Sequence, residues 1–200
     1  DPDTVEQEYG KCLASVGRMR ELIHQSRQYL APNIRISMDE WNVWYAWYRP
    51  SSVTDGIYAA LALHMLMEEA EKSGIALACH FQAVNEGLIR VTPDGASLTA
   101  QGQIFSLMTC HMGNRLCLAS PEAVISEDKT GARVATVVNA SYQGKKRVDL
   151  SACGRCTQAV LYTSKSVLPP SVFGQEDVLA QIQDGSIEMP PHSVLFLRFA

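Results

Sequence analysis

The sequence predicts a mixed α/β region followed by an all-β region, and three observations support this prediction. Up to about residue 114, apolar residues recur at helical spacing in three segments, with short strand-like segments between them. Beyond residue 114, short apolar segments alternate with turn residues. With 200 residues, of which 46% are hydrophobic, the chain can bury the core of one or two domains. We therefore predict two domains, residues 1–114 and 115–200.

The first helix and the first strand are predicted from the N-terminal part of the chain. Between residues 4 and 30, apolar side chains follow one another at spacings of three and four, which is typical of an amphipathic helix. Pro32 lies just beyond the last of them and suits the end of a helix. Residues 33–39, "NIRISMD", are then predicted to form a short strand.

A second helix and a second strand are predicted next. The helix is expected from about Asp55 to Lys72, with Thr54 and Asp55 supplying the N-cap chemistry. Gly74 suits the position just past its end. Residues 75–84, "IALACHFQAV", are apolar on both faces, as expected for a parallel strand that is covered by helices.

A third helix is predicted within residues 97–114, capped by Ser97 or Thr99 and ended by Gly113. The order helix, strand, helix, strand, helix is typical of α/β proteins. Two parallel strands cannot close a sheet, and an eight-fold β/α barrel takes roughly 250 residues. We therefore interpret residues 1–114 as the C-terminal part of a (β/α)8 barrel.

Residues 115–200 are predicted to form an antiparallel β-sandwich. Six short segments in this region look like strands and are separated by turn residues. They begin at residues 116, 133, 145, 157, 186 and 193. The Pro-rich segment 168–177, "LPPSVFGQED", is predicted to be a surface loop.

Charge and composition argue against several classes of function. A net charge of -4 and a pI near 5.7 give no basic surface for nucleic acid. No stretch approaches the roughly 18 consecutive apolar residues of a membrane span. The six cysteines are scattered, which indicates reduced thiols and a cytoplasmic protein, with a secreted parent as the alternative. The lone pair Cys153 and Cys156 is interpreted as part of a turn, and no metal or other cofactor is expected.

The stretch "DEWNVWYAWY", residues 39–48, follows the first predicted strand and contains all three tryptophans of the chain. In α/β sheets ligands bind at the carboxyl ends of the strands, where Asp39 and Glu40 lie and where Gln82 follows the next strand. An aromatic face packs against the C–H face of a sugar ring while polar groups bind its hydroxyls. The pattern therefore indicates a saccharide-like ligand.

Several of these residues have two possible roles. Neighbouring strand residues point to opposite faces, so Asp39 and Glu40 cannot flank one bond, and only one of them can act on it. Trp44 and Tyr45 either line the ligand site or pack the loop, and Asn42 either orients Glu40 or caps the turn.

Three segments resemble one known family. The sequence "ISMDEWNVWY", residues 36–45, resembles the strand-seven motif of the family 51 glycoside hydrolases, the α-L-arabinofuranosidases. The sequence "LACHFQAVN", residues 77–85, resembles their strand-eight segment, and "MPPHSVLFLRF" resembles the last strand of their C-terminal β-sandwich. The segments occur in the same order as in that family and cover most of the chain.

The resemblance implies a retaining hydrolase that acts on arabinofuranoside-containing saccharides. Glu40 matches the nucleophile of the family, and Gln82 matches a residue that contacts the sugar. The further expected contacts are Trp44, Tyr45 and Asn42. The family's general acid/base, a Glu that follows an Asn at the end of strand four, falls upstream of residue 1. The 200-residue chain is therefore expected to be inactive alone.

The chain also departs from the family pattern. Residues 86–102 contain no aromatic residue, whereas the family usually has an aromatic-rich loop there, so the side of the site that holds the leaving group is not defined by the resemblance. Glu86 follows the second strand, but the family places its acid elsewhere. His80 either packs beneath the site or takes part in it.

Other functions stay open at this point. One is a carbohydrate-binding or structural module without catalysis, and another is a β-glucan-cleaving enzyme on the same scaffold. A partial barrel also predicts exposed sheet edges and apolar helix faces, so we expect self-association or a homo-oligomer.

Overall fold

The computed structural model describes residues 2–43 and 48–200, with side chains from residue 4 onward. In these ranges the helices are α1 (Pro2–Gln28), α2 (Val53–Lys72) and α3 (Ala100–Met108), the last followed by a 3₁₀ turn (Thr109–His111). The strands of the first region are β1 (Ile36–Trp41), β2 (Ile75–His80), β3 (Ile89–Thr92) and β4 (Gly95–Leu98). The later strands are β5 (Arg115–Ser120), β6 (Ala123–Glu127), β7 (Arg133–Asn139), β8 (Lys146–Asp149), β9 (Cys156–Thr163), β10 (Gly174–Asp177), β11 (Ser186–Met189) and β12 (Ser193–Phe199).

β1 and β2 form a parallel pair, as the order of elements predicts. The described chain contributes only these two strands to that sheet, so no closed barrel is present in it. The expectation that β2 is covered on both faces is wrong, since Leu77 in its middle is 55% exposed. A barrel strand is buried by its neighbours across the barrel as well as by helices, and two strands supply no such neighbours.

The start of α2 differs from the prediction. Its N-cap is Ser52, whose backbone N–H donates to Oδ2 of Asp55 at 2.8 Å, so Asp55 lies in the first turn and accepts a hydrogen bond from the cap. The hydroxyl of Thr54 instead donates to the carbonyl of Val167 at 3.1 Å. Gly74 follows the helix with a φ of +69°, as predicted for the position past its end.

The third helix is shorter than predicted and is preceded by a hairpin. Thr99 is the N-cap of α3, with its hydroxyl accepting from the N–H of Gly102 at 3.1 Å, so the predicted cap is confirmed. Residues 89–98, part of the segment without aromatics, form the antiparallel pair β3–β4 that the sequence reasoning missed. The sequence Thr92-Pro93-Asp94-Gly95 that joins the two strands is rich in turn residues, and this pattern indicates the hairpin.

The second region is built on a six-stranded antiparallel sheet in the order β10-β9-β12-β7-β6-β5, with β8 and β11 paired separately. β6 and β10 were not predicted from the sequence. β12 is buried on both faces because consecutive side chains point to opposite sides. Val194 and Phe196 join the core that contains α1, α2 and α3, whereas Leu195 and Leu197 join the core under β8 and β11.

One hydrophobic core therefore runs across the change from helices to strands near residue 114. Phe173, in the predicted surface loop, belongs to this core and packs against α2, where a Cβ placed on Gly56 would overlap its ring. The surface-loop prediction is wrong for Phe173. The division into domains 1–114 and 115–200 stays a prediction.

A buried polar network crosses the same boundary. The His64 ring on α2 and the His111 ring after α3 both contact Oγ1 of Thr136 on β7, at 2.7 Å and 2.8 Å.

None of the described helices is long and apolar enough to cross a membrane.

Candidate functional site

The carboxyl ends of β1 and β2 lie side by side, and the pairing is irregular there. Met38 is opposite Ala78 and Trp41 is opposite His80, so two residues of β1 face a single residue of β2. Such a bulge re-aims side chains and interrupts the regular alternation of a strand. Asp39 and Glu40 occupy it, and both are exposed. The regular alternation that would place Asp39 and Glu40 on opposite faces of the strand is therefore interrupted at this point.

The two adjacent carboxylates have different surroundings. Oδ1 of Asp39 accepts a hydrogen bond from the hydroxyl of Ser37 at 2.6 Å. The side chain of Glu40 has no hydrogen bond or ion pair with any residue in the described ranges, and it lines an open cleft of about 610 Å³ between β1 and α1. Of the two, Glu40 has both carboxylate oxygens free of partners among the described residues, whereas Asp39 has one oxygen engaged.

Gln82 lies just past β2 and is exposed, as expected for a residue that contacts a ligand. Its Nε2 donates to Oε2 of Glu86 at 2.7 Å, so a second carboxylate stands beside the predicted sugar contact. Gly87 makes this turn possible, because a Cβ there would overlap the carbonyl oxygen of Gln82 and the ring of His80. The sequence does not predict this pairing of Glu86 with Gln82.

Asn42 joins the ends of the two strands. Its Nδ2 donates to the carbonyls of Phe81 at 2.7 Å and of Glu86 at 2.9 Å. Its Oδ1 accepts from the backbone N–H of Val43 at 2.7 Å and from Nε2 of Gln101 at 2.8 Å. Both amide hydrogens are thus used, so in this structure Asn42 acts as a brace. Its role as a saccharide contact stays a prediction.

An aromatic cluster supports the strand ends from below. Trp41 is buried and stacks on Phe105 with ring centroids 5.8 Å apart, and the His80 ring meets both edge-on. Neither ring nitrogen of His80 has a hydrogen-bond partner among the described residues, and burial lowers the pKa of His80 to about 4. Of the two roles left open for His80, the structure favours packing.

The predicted contacts Trp44 and Tyr45 lie outside the described residues and stay predictions.

An ion pair that the sequence does not predict follows the segment that contains them. Arg49 makes a two-pronged ion pair with buried Asp55, with distances of 2.8 Å from Nη1 to Oδ2 and 2.6 Å from Nη2 to Oδ1. The available signal was the spacing Ser52-Val53-Thr54-Asp55, which is typical of a helix start.

The described residues contain no cluster of three or more His, Cys, Asp or Glu side chains arranged to hold a metal ion. What the geometry offers is an exposed carboxylate, an exposed amide with a neighbouring carboxylate, and a rigid aromatic support. These groups suit hydrogen bonding to hydroxyls and nucleophilic attack by a carboxylate.

No family model and no curated protein matches the sequence. Solved structures do match. The α-L-arabinofuranosidase of Thermotoga maritima, in complex with arabinose, is 20% identical with a TM-score of 0.77, over 95% of this chain and 49% of that one. The family 51 arabinofuranosidase of Xanthomonas axonopodis pv. citri is 16% identical with a TM-score of 0.74, over 100% and 48%. A bifunctional glucanase-xylanase from a metagenome library is 14% identical with a TM-score of 0.51, over 92% and 33%.

The chain thus spans about half the length of the arabinofuranosidases that it matches. The predicted resemblance to the C-terminal portion of family 51 enzymes is confirmed for the fold.

Proposed function

We propose that the chain is the C-terminal part of a retaining glycoside hydrolase that releases terminal α-L-arabinofuranosyl residues. In this proposal the parallel pair and its helices are the end of a (β/α)8 barrel, and the later sheets are its β-sandwich. The observation that carries it is the position of Glu40. Within a D-E-W-N run, its carboxylate lies exposed at the end of a parallel strand, in a fold shared with arabinofuranosidases.

The described residues then take distinct parts in the reaction. The carboxylate of Glu40 attacks the anomeric carbon while the glycosidic bond breaks, which gives a covalent glycosyl-enzyme that water later hydrolyses. Gln82, held by Glu86, binds hydroxyls of the sugar. Asn42 does not touch the reacting atoms in this scheme, and it keeps the two strand ends in a fixed relation.

The second carboxyl group of the reaction belongs upstream. A retaining enzyme places an acid/base about 5 Å from the nucleophile to protonate the leaving oxygen. By the family resemblance, this group precedes residue 1. Loss of general acid catalysis costs about 100- to 10,000-fold in rate, so the 200-residue chain alone should release no arabinose.

The alternative of a carbohydrate-binding module is less well supported. Such a module needs aromatic rings exposed on its sheet, whereas the five aromatic residues after residue 114 are buried or half-buried. They are Tyr142, Tyr162, Phe173, Phe196 and Phe199. The β-glucan-cleaving alternative has less support, because the glucanase-xylanase matches the chain with a TM-score of 0.51, below those of the arabinofuranosidases.

Covalent labelling tests the proposal directly. A form of the protein that carries the upstream half is treated with a 2-fluoro arabinofuranosyl inactivator and digested for mass spectrometry. We expect the label on the peptide that contains Glu40, and Glu40→Gln should abolish it. Asp39→Asn is the matched control and should keep the label, because the neighbouring carboxylate is not the nucleophile. A label on any other residue would refute the assignment.

A further inference from the structure

A second, more polar cleft adjoins the candidate site. It has a volume of about 800 Å³, within the roughly 300–1,000 Å³ typical of ligand sites. Glu86, the partner of Gln82, is one of its lining residues. The walls come from the hairpin β3–β4, from residues 48–51 and from residues 170–172 of the later region. We call this feature the hairpin cleft.

The walls of the hairpin cleft are fixed by hydrogen bonds. Oδ1 of Asn85 accepts from the N–H of Val91 at 2.8 Å and so ties the turn after β2 to the hairpin. The hydroxyl of Thr99 donates to the carbonyl of Gly87 at 2.5 Å. On the opposite side, the hydroxyl of Ser171 accepts from the N–H of Val53 at 2.9 Å. These hydrogen bonds hold the walls of the cleft in place.

The exposed groups along the hairpin cleft combine ring-binding and hydroxyl-binding chemistry. Tyr48 is 75% exposed at the rim and offers an aromatic face. Arg90 is exposed, and no described residue forms an ion pair with it. Val91 and Val172 add apolar surface between these polar groups. Saccharides present the same mixture of C–H faces and hydroxyls.

We propose that the hairpin cleft binds the leaving-group part of a saccharide chain, with Tyr48 packing on a sugar ring and Arg90 donating to its hydroxyls. The inference rests on the proposed function. An enzyme that removes a terminal sugar holds that sugar at the nucleophile, and the rest of the substrate extends on the leaving-group side. Glu86, which accepts a hydrogen bond from the proposed contact Gln82, also lines this cleft, so the cleft adjoins the position of the terminal sugar.

Residues 86–102, which include the hairpin, contain no aromatic residue. Among the described residues that line the cleft, Tyr48 therefore supplies the aromatic face for a sugar ring. The hairpin cleft should consequently favour an oligosaccharide over a single sugar.

Titration calorimetry on the 200-residue chain, with α-1,5-linked arabinotriose and with free L-arabinose, tests the inference. We expect saturable binding of arabinotriose and much weaker binding of arabinose. Tyr48→Ala and Arg90→Ala should each weaken arabinotriose binding about tenfold, the effect of losing one good contact. The matched controls Tyr29→Ala and Arg147→Ala remove exposed side chains outside the cleft and should bind as the parent chain does.

The outcomes separate this inference from the proposed function. Absence of arabinotriose binding, or equal affinities of the cleft variants and the controls, overturns the role of the hairpin cleft. The covalent label on Glu40 is read independently of that titration. If labelling fails while the cleft variants lose binding, the nucleophile assignment falls and the saccharide cleft stands. Circular dichroism of each variant establishes that it is folded.

Discussion

The buried histidines predict a specific loss of stability in mild acid. Replacing His64 or His111 with Gln tests this, because both rings lie in the core between the helices and the six-stranded sheet. Nδ1 of His64 is 3.0 Å from the carbonyl oxygen of Pro121, and Nδ1 of His111 is 2.7 Å from the hydroxyl of Ser126. Both rings share the hydroxyl of Thr136.

The hydrogen bonds fix the position of each proton. A carbonyl only accepts, so Nδ1 of His64 carries its hydrogen and Nε2 accepts from Thr136. The hydroxyl of Thr136 has a single hydrogen, so Nε2 of His111 must donate to its oxygen. Nδ1 of His111 then accepts from Ser126. The network is complete when both rings are neutral. A proton added to Nε2 of His64 would turn the hydrogen of Thr136 towards Sδ of Met108 at 3.7 Å, which is a weak acceptor.

The magnitude follows from the pKa values. Burial lowers the pKa of His64 to about 3 and that of His111 to about 4, from an ordinary value of 6.5. Well above pH 6.5 both rings are neutral in the folded and the unfolded chain, so their full contribution to stability is present there. As the pH falls from 6.5 towards 4, the two rings bind protons in the unfolded chain but not in the folded chain, so the free energy of unfolding decreases. At pH 5 this costs about 2 kcal/mol per ring.

Urea unfolding followed by fluorescence at several pH values between 5 and 7.5 measures the effect. Because the pKa of His80 is lowered as well, the free energy of unfolding should fall by up to about 6 kcal/mol across this range, and each single Gln variant of His64 or His111 should remove about a third of that slope. At pH 7.5 the variants should themselves be less stable by about 1–3 kcal/mol, because buried partners lose a hydrogen bond. If the double variant and the parent chain have the same slope, the two histidines do not cause the loss of stability in acid.

Two further predictions concern stability and use matched variants. Gly56→Ala should destabilise the chain by about 1–3 kcal/mol, because the new methyl group overlaps a buried phenylalanine ring. Gly10→Ala, in an open helix position, should stabilise it by about 0.5–1 kcal/mol. Arg49→Ala should cost about 3 kcal/mol, since it removes the ion-pair partner of buried Asp55. Arg18→Ala, which breaks an exposed pair, should cost about 0.5 kcal/mol or less. Urea unfolding at pH 7.5 checks all four, and reversed signs or equal effects within either pair would contradict them.

The elements that could be predicted from the sequence are those with a strong local pattern. α1 and α2 were predicted within a few residues, because their apolar side chains recur at helical spacing over several turns. β7 and β12 were predicted because their residues are almost all apolar or β-branched. β6 and β10 were missed. β10 is entirely exposed, with the sequence Gly-Gln-Glu-Asp, so only its neighbour β9 makes it a strand.

In the candidate site too, the residues placed by a local sequence motif could be predicted, whereas contacts between residues distant in sequence could not. Glu40 and Gln82 could be proposed because a strand end and a recognisable motif place them. The brace formed by Asn42 could not, because its partners lie about 40 and 60 residues away in sequence. The pairing of Glu86 with Gln82 depends on a turn whose shape is set by Gly87 packing against His80. No local pattern in the sequence encodes such contacts.

The exposure of Glu40 is consistent with a site that further protein completes in the proposed enzyme. A carboxylate that attacks an anomeric carbon needs hydrogen-bond donors and a boundary against bulk water. The described residues surround Glu40 with an open cleft and supply no donor to it. The middle of β2 is open to solvent at Leu77 in the same way. In the proposed parent protein, a further part of the barrel that packs on the β1–β2 pair would cover both features. On that proposal, the groups that activate Glu40 belong to the same surface that covers Leu77.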